Sequence, residues 1–511
     1  MAYLSIINHL ENDSSIIMKK NIIQSSLTIG KYLPFALLLS LTSCKDSFLD
    51  VPPQGQQPSE QFWKNEGDAT KAVNAMYANL RSWNNTAFAP MAVESIASDD
   101  TEKGSSPSDA TFFNKFDTFT ASASEGQIGD FWKGQYQSIN YANQVIDNIP
   151  AISMDENLKT RYIAEAKFIR AYCYFRLVRA FGDVPLRLSL AQDAAAYNLP
   201  RSPKAEVWAA IEKDLKDAAS ILPQTYGATD IGRATKGAAL ALNAKVAMYQ
   251  KKWSEVVALT KQVMGMGYSL FPNYEQMFRI PNENCSESIF EIQCKLILGN
   301  AAASNSQYSQ VQGVRGSQGG GWGFHVPTQD LVNEFEEGDP RKDATIIFRG
   351  EITPQGDVIP ATGDNPMYNQ KSYVPFSLFI SGYNEGADQN IRVIRYAEVL
   401  LMNAEANNEL GNTADALASL EMVRARARQG NNAILPKVTT TDQALLRKAI
   451  YHERRVELAM EFDRFFDVIR QGRGAEVFGK KGFKTGVSEV WPIPQNEIDL
   501  SAGVLKQNTG Y

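Results

Sequence analysis

The 511-residue sequence predicts a mainly α protein in which paired helices form a scaffold carrying a large irregular, loop-rich region, with little β structure. Three observations predict it. Apolar residues recur at spacings of three and four in many separate stretches, the mark of helices that bury one face. Two of those stretches are Ala- and Leu-rich helix–turn–helix pairs. Between the two pairs the composition switches to Gly, Asn, Ser, Gln, Pro and aromatics, and loops of that length in an otherwise regular helical chain are usually functional.

The first element is a leader. Met18-Lys-Lys opens a positive stretch that runs into the apolar Leu33-Pro-Phe-Ala-Leu-Leu-Leu-Ser-Leu41 and then Thr42-Ser43-Cys44. An apolar run this short, against the ~20 residues that span a bilayer, reads as a signal peptide and not as a membrane helix. Leu41-Thr-Ser-Cys44 resembles the lipobox of bacterial lipoproteins, in which the cysteine is lipidated and the leader is cut before it. Residues 1–43 are thus expected to be a mis-called start plus the signal peptide, and Cys44 the lipid attachment site. Residues 44–58 are polar and proline-containing, as suits a tether. A single body is expected over 59–511.

Within that body, Glu60 to Leu80 carries Phe62, Ala69, Val73, Met76, Tyr77 and Leu80 at helical spacing, and Phe131 to Ile149 does likewise. Lys159 to Phe181 is the clearest helix, with Tyr162, Ala166, Ile169, Cys173, Leu177 and Ala180 in one stripe and Gly182 and Pro185 as its stop. The first pair is Lys236 to Tyr249 and Trp253 to Met264; the second is Tyr396 to Leu410 and Ala414 to Arg428. Small residues where helices touch and large ones between them resemble tetratricopeptide repeats, whose helix pairs must stack to bury their apolar faces. A helix from Asp442 to Arg470 follows, and then an extended Trp491-Pro-Ile-Pro494. The irregular inserts lie near 82–124 and 271–389.

Charge and motifs exclude several functions. With 51 basic and 57 acidic residues the chain is mildly acidic and has no basic run, a poor match for nucleic acid. Beyond Cys44 the cysteines are Cys173, Cys285 and Cys294, at no metal-like spacing, with a Cys285–Cys294 disulfide left open. His452-Glu453 lacks the second histidine of a zinc motif, and His325 stands alone. Gly316-Ser-Gln-Gly319 has the wrong offsets for a nucleophile elbow. Gly474 to Lys481 mimics a phosphate loop but has Lys481 where Ser or Thr must hold magnesium. Glu453, Glu457 and Glu461 fall at spacings of four and invite an acid–base reading. The arginines among them (Arg454, Arg455, Arg464, Arg470) favour a structural ion-pair network instead. No catalytic set, metal or cofactor is expected.

Four segments together are specific: Glu165 to Leu186 (EAKFIRAYCYFRLVRAFGDVPL), Gly232 to Leu242, Ile391 to Leu401, and Glu453 to Ala459 with Arg464-Phe-Phe-Asp467. They resemble the SusD/RagB-like outer-membrane nutrient-binding lipoproteins of Bacteroidetes, over nearly the whole chain after Cys44. The resemblance implies four tetratricopeptide-like helix pairs and an irregular ligand-binding half. It also implies an outer-membrane, lipid-anchored position facing the cell exterior, and a SusC-like TonB-dependent transporter as partner, to which glycans or sometimes peptides are handed. Aromatic faces stack on the C–H faces of sugars while polar side chains bond the hydroxyls. For an oligosaccharide ligand the candidates are Trp322 first, then Trp83, Tyr308, Arg315, Asp99 and Asp100; no family motif transfers onto them. A surface scaffold that binds only proteins and a lipoprotein glycosidase are the alternatives.

Overall fold

The computed structural model describes residues 62–193, 197–297, 306–316, 320–378 and 387–511. The leader, Cys44 and the tether over 44–58 lie outside the described residues, as do 298–305, 317–319 and 379–386 of the second insert. Residues Trp63–Tyr511 fold as one unit. Among the described residues no helix is long and apolar enough to cross a membrane.

The scaffold is an array of eight helices: α1 (Glu66–Asn79), α2 (Gly126–Asn148), α3 (Glu156–Phe181), α4 (Lys204–Ile221), α5 (Lys236–Tyr249), α6 (Trp253–Met264), α7 (Tyr396–Glu409) and α8 (Thr413–Arg428). Each packs on the next in chain order, giving four successive tetratricopeptide-like pairs. Local chemistry sets their ends. Asn65, Asp155 and Thr235 accept the N–H groups of Asp68, Leu158 and Ala238 at 3.1, 2.8 and 3.1 Å, capping α1, α3 and α5. Gly182, at φ 73°, ends α3 in a conformation that side chains resist. Every residue of α5 from Gly237 to Met248 is buried, and its alanines let α4 and α6 close on it. Across α2, α3 and α4, Arg170 binds Asp214 through Nε and Nη2 at 2.8 and 2.9 Å and donates to Asn143 Oδ1 at 2.8 Å.

Among the described residues six short strands accompany the helices: β1 (Thr101–Gly104), β2 (Ser288–Ile292), β3 (Phe324–Pro327), β4 (Ile346–Phe348), β5 (Met367–Asn369) and β6 (Ile391–Arg395). Although the second insert separates α6 from α7 in sequence, the two helices pack together, so the insert is extruded between scaffold neighbours. Antiparallel pairing of β2 with β6 closes its neck. Pairing of β1 with β3, Thr101 opposite Pro327 and Gly104 opposite Phe324, ties the first insert to the second.

The structure corrects one sequence expectation, answers one question left open and adds one helix. The helix expected over Asp442–Arg470 breaks into α9 (Gln443–Leu458) and α10 (Arg464–Arg470). Met460 and Phe462 between them take left-handed φ of 66° and 68°. The reversal places Glu461 against Lys371 and Arg395 and stacks Phe462 on His325 at 4.7 Å, contacts that offset the strain. Cys285 and Cys294 are both free, because extended β2 holds them apart; their sulfurs meet Ser288 and Ser306 instead. Helix α4 was not anticipated, although Val207, Ile211, Leu215 and Ala218 supply its buried stripe.

Insert and scaffold share a core, in which Leu331, Phe335, Ile346 and Met367 pack on Val456, Ala459 and Met460 at the end of α9. A buried ionic network joins them as well. Arg341, fully buried, holds Asp339 through Nε and Nη2 at 3.0 and 2.8 Å and reaches Glu457 at 3.0 Å and also Glu453.

Candidate functional site

The two inserts converge on a patch of aromatic rings. The short helix Trp83–Thr86 is pinned to the scaffold by Asn85, which donates to Asn79 O at 2.8 Å and accepts from Gln135 Nε2 on α2 at 2.8 Å. That turn presents Trp83, which is 37% exposed, and leads on to half-buried Phe88. From the other side, Trp322 is set by its backbone: its N–H donates to Gln310 O at 2.9 Å, and Gly323 N–H donates to Gly313 O at 2.9 Å. A side chain at Gly323, where φ is 74°, would lie 2.6 Å from Asn365 Nδ2 and 2.8 Å from Arg315 Cβ. The close approach requires glycine.

The ring centroids of Trp83 and Trp322 are 6.1 Å apart with 50° between planes; Phe88 lies 5.1 and 6.0 Å from them, and Phe112 is 6.1 Å from Phe88. Buried Phe113 and Phe324 support Phe88 from below, at 5.2 and 4.9 Å. Trp83, Phe88, Phe112 and Trp322 thus form a partly exposed, angled platform on a rigid base.

A polar rim borders it. Arg315 Nη1 donates to Ser105 Oγ at 2.7 Å and Trp322 O at 3.3 Å and pairs with Asp109 at 2.9 Å. The Ser105 hydroxyl donates to Asp109 at 2.9 Å; this bond, and then the Arg315 charge, hold the Asp109 carboxyl below its usual range. Lys103 Nζ donates to Ser106 O and Asp109 O at 2.7 and 2.9 Å, and Ser106 Oγ donates to Asp364 at 2.8 Å. Aromatic faces flanked by fixed donors and acceptors can stack on a pyranose and bond its hydroxyls.

Of the residues singled out in sequence, the structure brings together Trp83, Trp322 and Arg315. Tyr308 packs on Phe462 at 6.0 Å and lines a deeper cavity. Asp99 and Asp100 are held by arginines of α9 and α10: Arg464 grips Asp99 at 2.8 and 2.7 Å, and Arg455 Nε donates to Asp100 at 2.7 Å. Burial opposes ionisation of Asp99, yet the Arg464 hydrogen bond keeps its carboxyl low. Cys44 lies outside the described residues. Sequence reasoning missed Phe88, Phe112, Lys103, Asp109 and Asp364; the paired Phe112-Phe113 in a polar insert was the available signal.

The clusters around Glu453 and Glu457 and around His325 are closed. Glu453 and Glu457 are fully buried, Glu453 bonded to Arg341 and Arg424 and Glu457 to Arg341, Arg395 and Arg426. Against the burial that would raise it, Arg426, Arg395 and Arg341 hold the Glu457 carboxyl down to about 2. Glu461 meets Arg395 and Lys371 at 2.8 and 2.7 Å. His325 is buried between Gln312 and Ser95, each at 2.7 Å, and burial pushes its imidazole down to about 3, neutral at physiological pH. Among the described residues no three His, Cys, Asp or Glu side chains are gathered to hold a metal.

Known proteins share this architecture. The SusD family pattern matches residues 286–511, and a second, described as "Starch-binding associating with outer membrane", matches residues 47–248. A solved structure of a laminarin-binding SusD-like protein is 31% identical, with a TM-score of 0.77 over 88% of this chain and 100% of that one. The chain belongs to the SusD family. Another SusD-family member, SusD-like protein P2 of Formosa agariphila, is 28% identical over 93% of this chain and 98% of its own length. Surface glycan-binding protein A of Bacteroides fluxus is 25% identical with a TM-score of 0.74 over 88% of this chain and 100% of its own. The laminarin-binding relative and surface glycan-binding protein A are described as binding proteins and not as enzymes. In this SusD-family chain buried Glu453 and Glu457 and partly exposed Glu461 join scaffold to insert through Arg341 and Lys371.

Proposed function

We propose that this protein is a cell-surface lipoprotein, anchored to the outer membrane through Cys44, which captures an oligosaccharide on the Trp83–Trp322 platform and delivers it to a SusC-like TonB-dependent transporter. The observation that carries the reading is the meeting of two tryptophans from separate inserts, at 6.1 Å, over a packed aromatic base and beside the Arg315–Asp109 rim. The described binding of laminarin by a 31% identical relative supports the ligand class. Nothing in the polar clusters supports the glycosidase alternative, because Glu453 and Glu457 are each enclosed by arginines.

Calorimetric titration of the purified chain with laminarin and a panel of soluble glycans tests capture, with product analysis of the same samples. Saturable binding without shortened products is expected; release of products would favour the glycosidase. Metabolic labelling with palmitate tests the anchor, and incorporation into wild type but not Cys44→Ala is expected. Co-purification with a TonB-dependent barrel from outer membranes tests delivery; isolation as a lone protein under mild detergent would count against it.

A further inference from the structure

Behind the platform lies a deeper cavity of about 90 Å³, a size that suits an ion or a single small group. One wall is the back of the helix that carries Trp83, through Asn85 and Thr86; another contains Tyr308 of the second insert with Asn390 and Arg392 at its neck. Five cations line it: Arg176, Arg179, Lys245, Lys371 and Arg392. Four have hydrogen-bonded carboxylates. Arg176 pairs with Glu94, Arg179 and Lys245 share Asp463, and Lys371 donates to Glu461 at 2.7 Å.

Arg392 differs. Its side chain is 4% exposed, yet the nearest carboxylate, Glu291, lies 3.7 Å from its Nε, beyond hydrogen-bond reach. Glu291 is already taken, accepting from Asn284 N at 3.1 Å, from Asn390 Nδ2 at 3.0 Å and from the Ser288 hydroxyl. Arg392 makes two long bonds, to Asn390 O at 3.3 Å and Arg279 O at 3.5 Å, its guanidinium lies 5.8 Å from the Phe278 ring centroid, and its Nε has no hydrogen-bond partner among the described residues. The Arg179 Nε is likewise unpartnered among the described residues. Burial pushes the carboxyl of Glu283, an acid that interacts with Arg392, up to about 7, so it gives only partial compensation at neutral pH. A buried guanidinium with so few acceptors is costly unless something else supplies them.

We propose that this cavity binds a small oxyanion, a carboxylate, sulfate or phosphate group, with Arg392 as its principal donor and Lys371, Asn390 and Tyr308 beside it. The planar fork of arginine matches two oxygens of such a group. The anion is either free or an acidic substituent of a sugar. The proposal stands apart from glycan capture on the platform: failure of laminarin binding would leave it untouched.

Thermal denaturation and calorimetry of the full chain test it, with sodium sulfate, sodium phosphate and sodium glucuronate each compared with sodium chloride at matched ionic strength. At least one oxyanion should raise Tm saturably above chloride. A response to glucuronate alone assigns a sugar acid, and a response to sulfate or phosphate assigns the inorganic group. Arg392→Gln, which keeps a planar polar group and removes the buried charge, should weaken the response at least tenfold, while Trp322→Ala should retain it. No shift beyond chloride in wild type would overturn the proposal without reference to any variant, and so would an Arg392→Gln response equal to wild type.

Discussion

Single residues show how strongly tertiary context decides the role of a side chain. His452 has a carboxylate at each ring nitrogen, Glu334 at 2.6 Å from Nδ1 and Glu336 at 3.3 Å from Nε2, and only the imidazolium donates to both. Burial opposes the charge, but the two hydrogen bonds win and raise its pKa to about 9. A folded pKa above the unfolded value of about 6.5 means the stabilisation is fully present below pH ~6.5 and is lost as pH rises through ~9. The Tm gap between wild type and His452→Asn should therefore be largest near pH 6, corresponding to about 1–2 kcal/mol after solvent screening, and shrink towards pH 10. A gap constant across that range would contradict the assignment. Asp99 and Asp100 teach the converse: adjacent acids in a loop looked like ligand contacts, but their arginine partners come from far along the chain. No local spacing encodes that pairing.

At the scale of elements, the helices were legible where one face alternates cleanly and a cap stands at the boundary. Residues 236–249 and 253–264 were predicted with the bounds α5 and α6 have, since Thr235 caps the first and Ala and Leu alternate with the helix period. The break after α9 was not legible, because it depends on Glu461 reaching Lys371 and Arg395 from the insert and the neck strand β6. The same insert–scaffold seam predicts a large mutational effect. Arg341→Met leaves Glu453 and Glu457 buried with fewer counter-charges, and should destabilise by about 3–5 kcal/mol in chemical denaturation. A loss under 1 kcal/mol would show that the network is dispensable. In the platform loop, Gly323→Ala meets both a left-handed φ and a contact of 2.6 Å, so it should displace Trp322 and weaken glycan binding with little change in Tm. Intrinsic fluorescence and the binding isotherm together check this; an unchanged affinity would mean that the loop geometry does not set the site.

For the whole molecule, the helical scaffold and its two irregular inserts could be read from composition, but their convergence could not. Trp83 and Trp322 meet because β1 and β3 pair across inserts far apart in sequence, on a scaffold whose α6 and α7 close again beneath the extruded second insert. Scaffold rigidity thus becomes site precision: Asn85 fixes one tryptophan to α2, and the Gln310 to Gly313 backbone fixes the other. The central claim is that these two rings carry ligand capture. Calorimetric titration of laminarin, or of whichever glycan wild type binds best, into the folded Trp83→Ala/Trp322→Ala double variant tests it most directly. At ~1.4 kcal/mol per tenfold, loss of two stacking contacts should weaken binding by about a hundredfold or abolish it. A double variant that stays folded and binds with wild-type affinity would contradict the account.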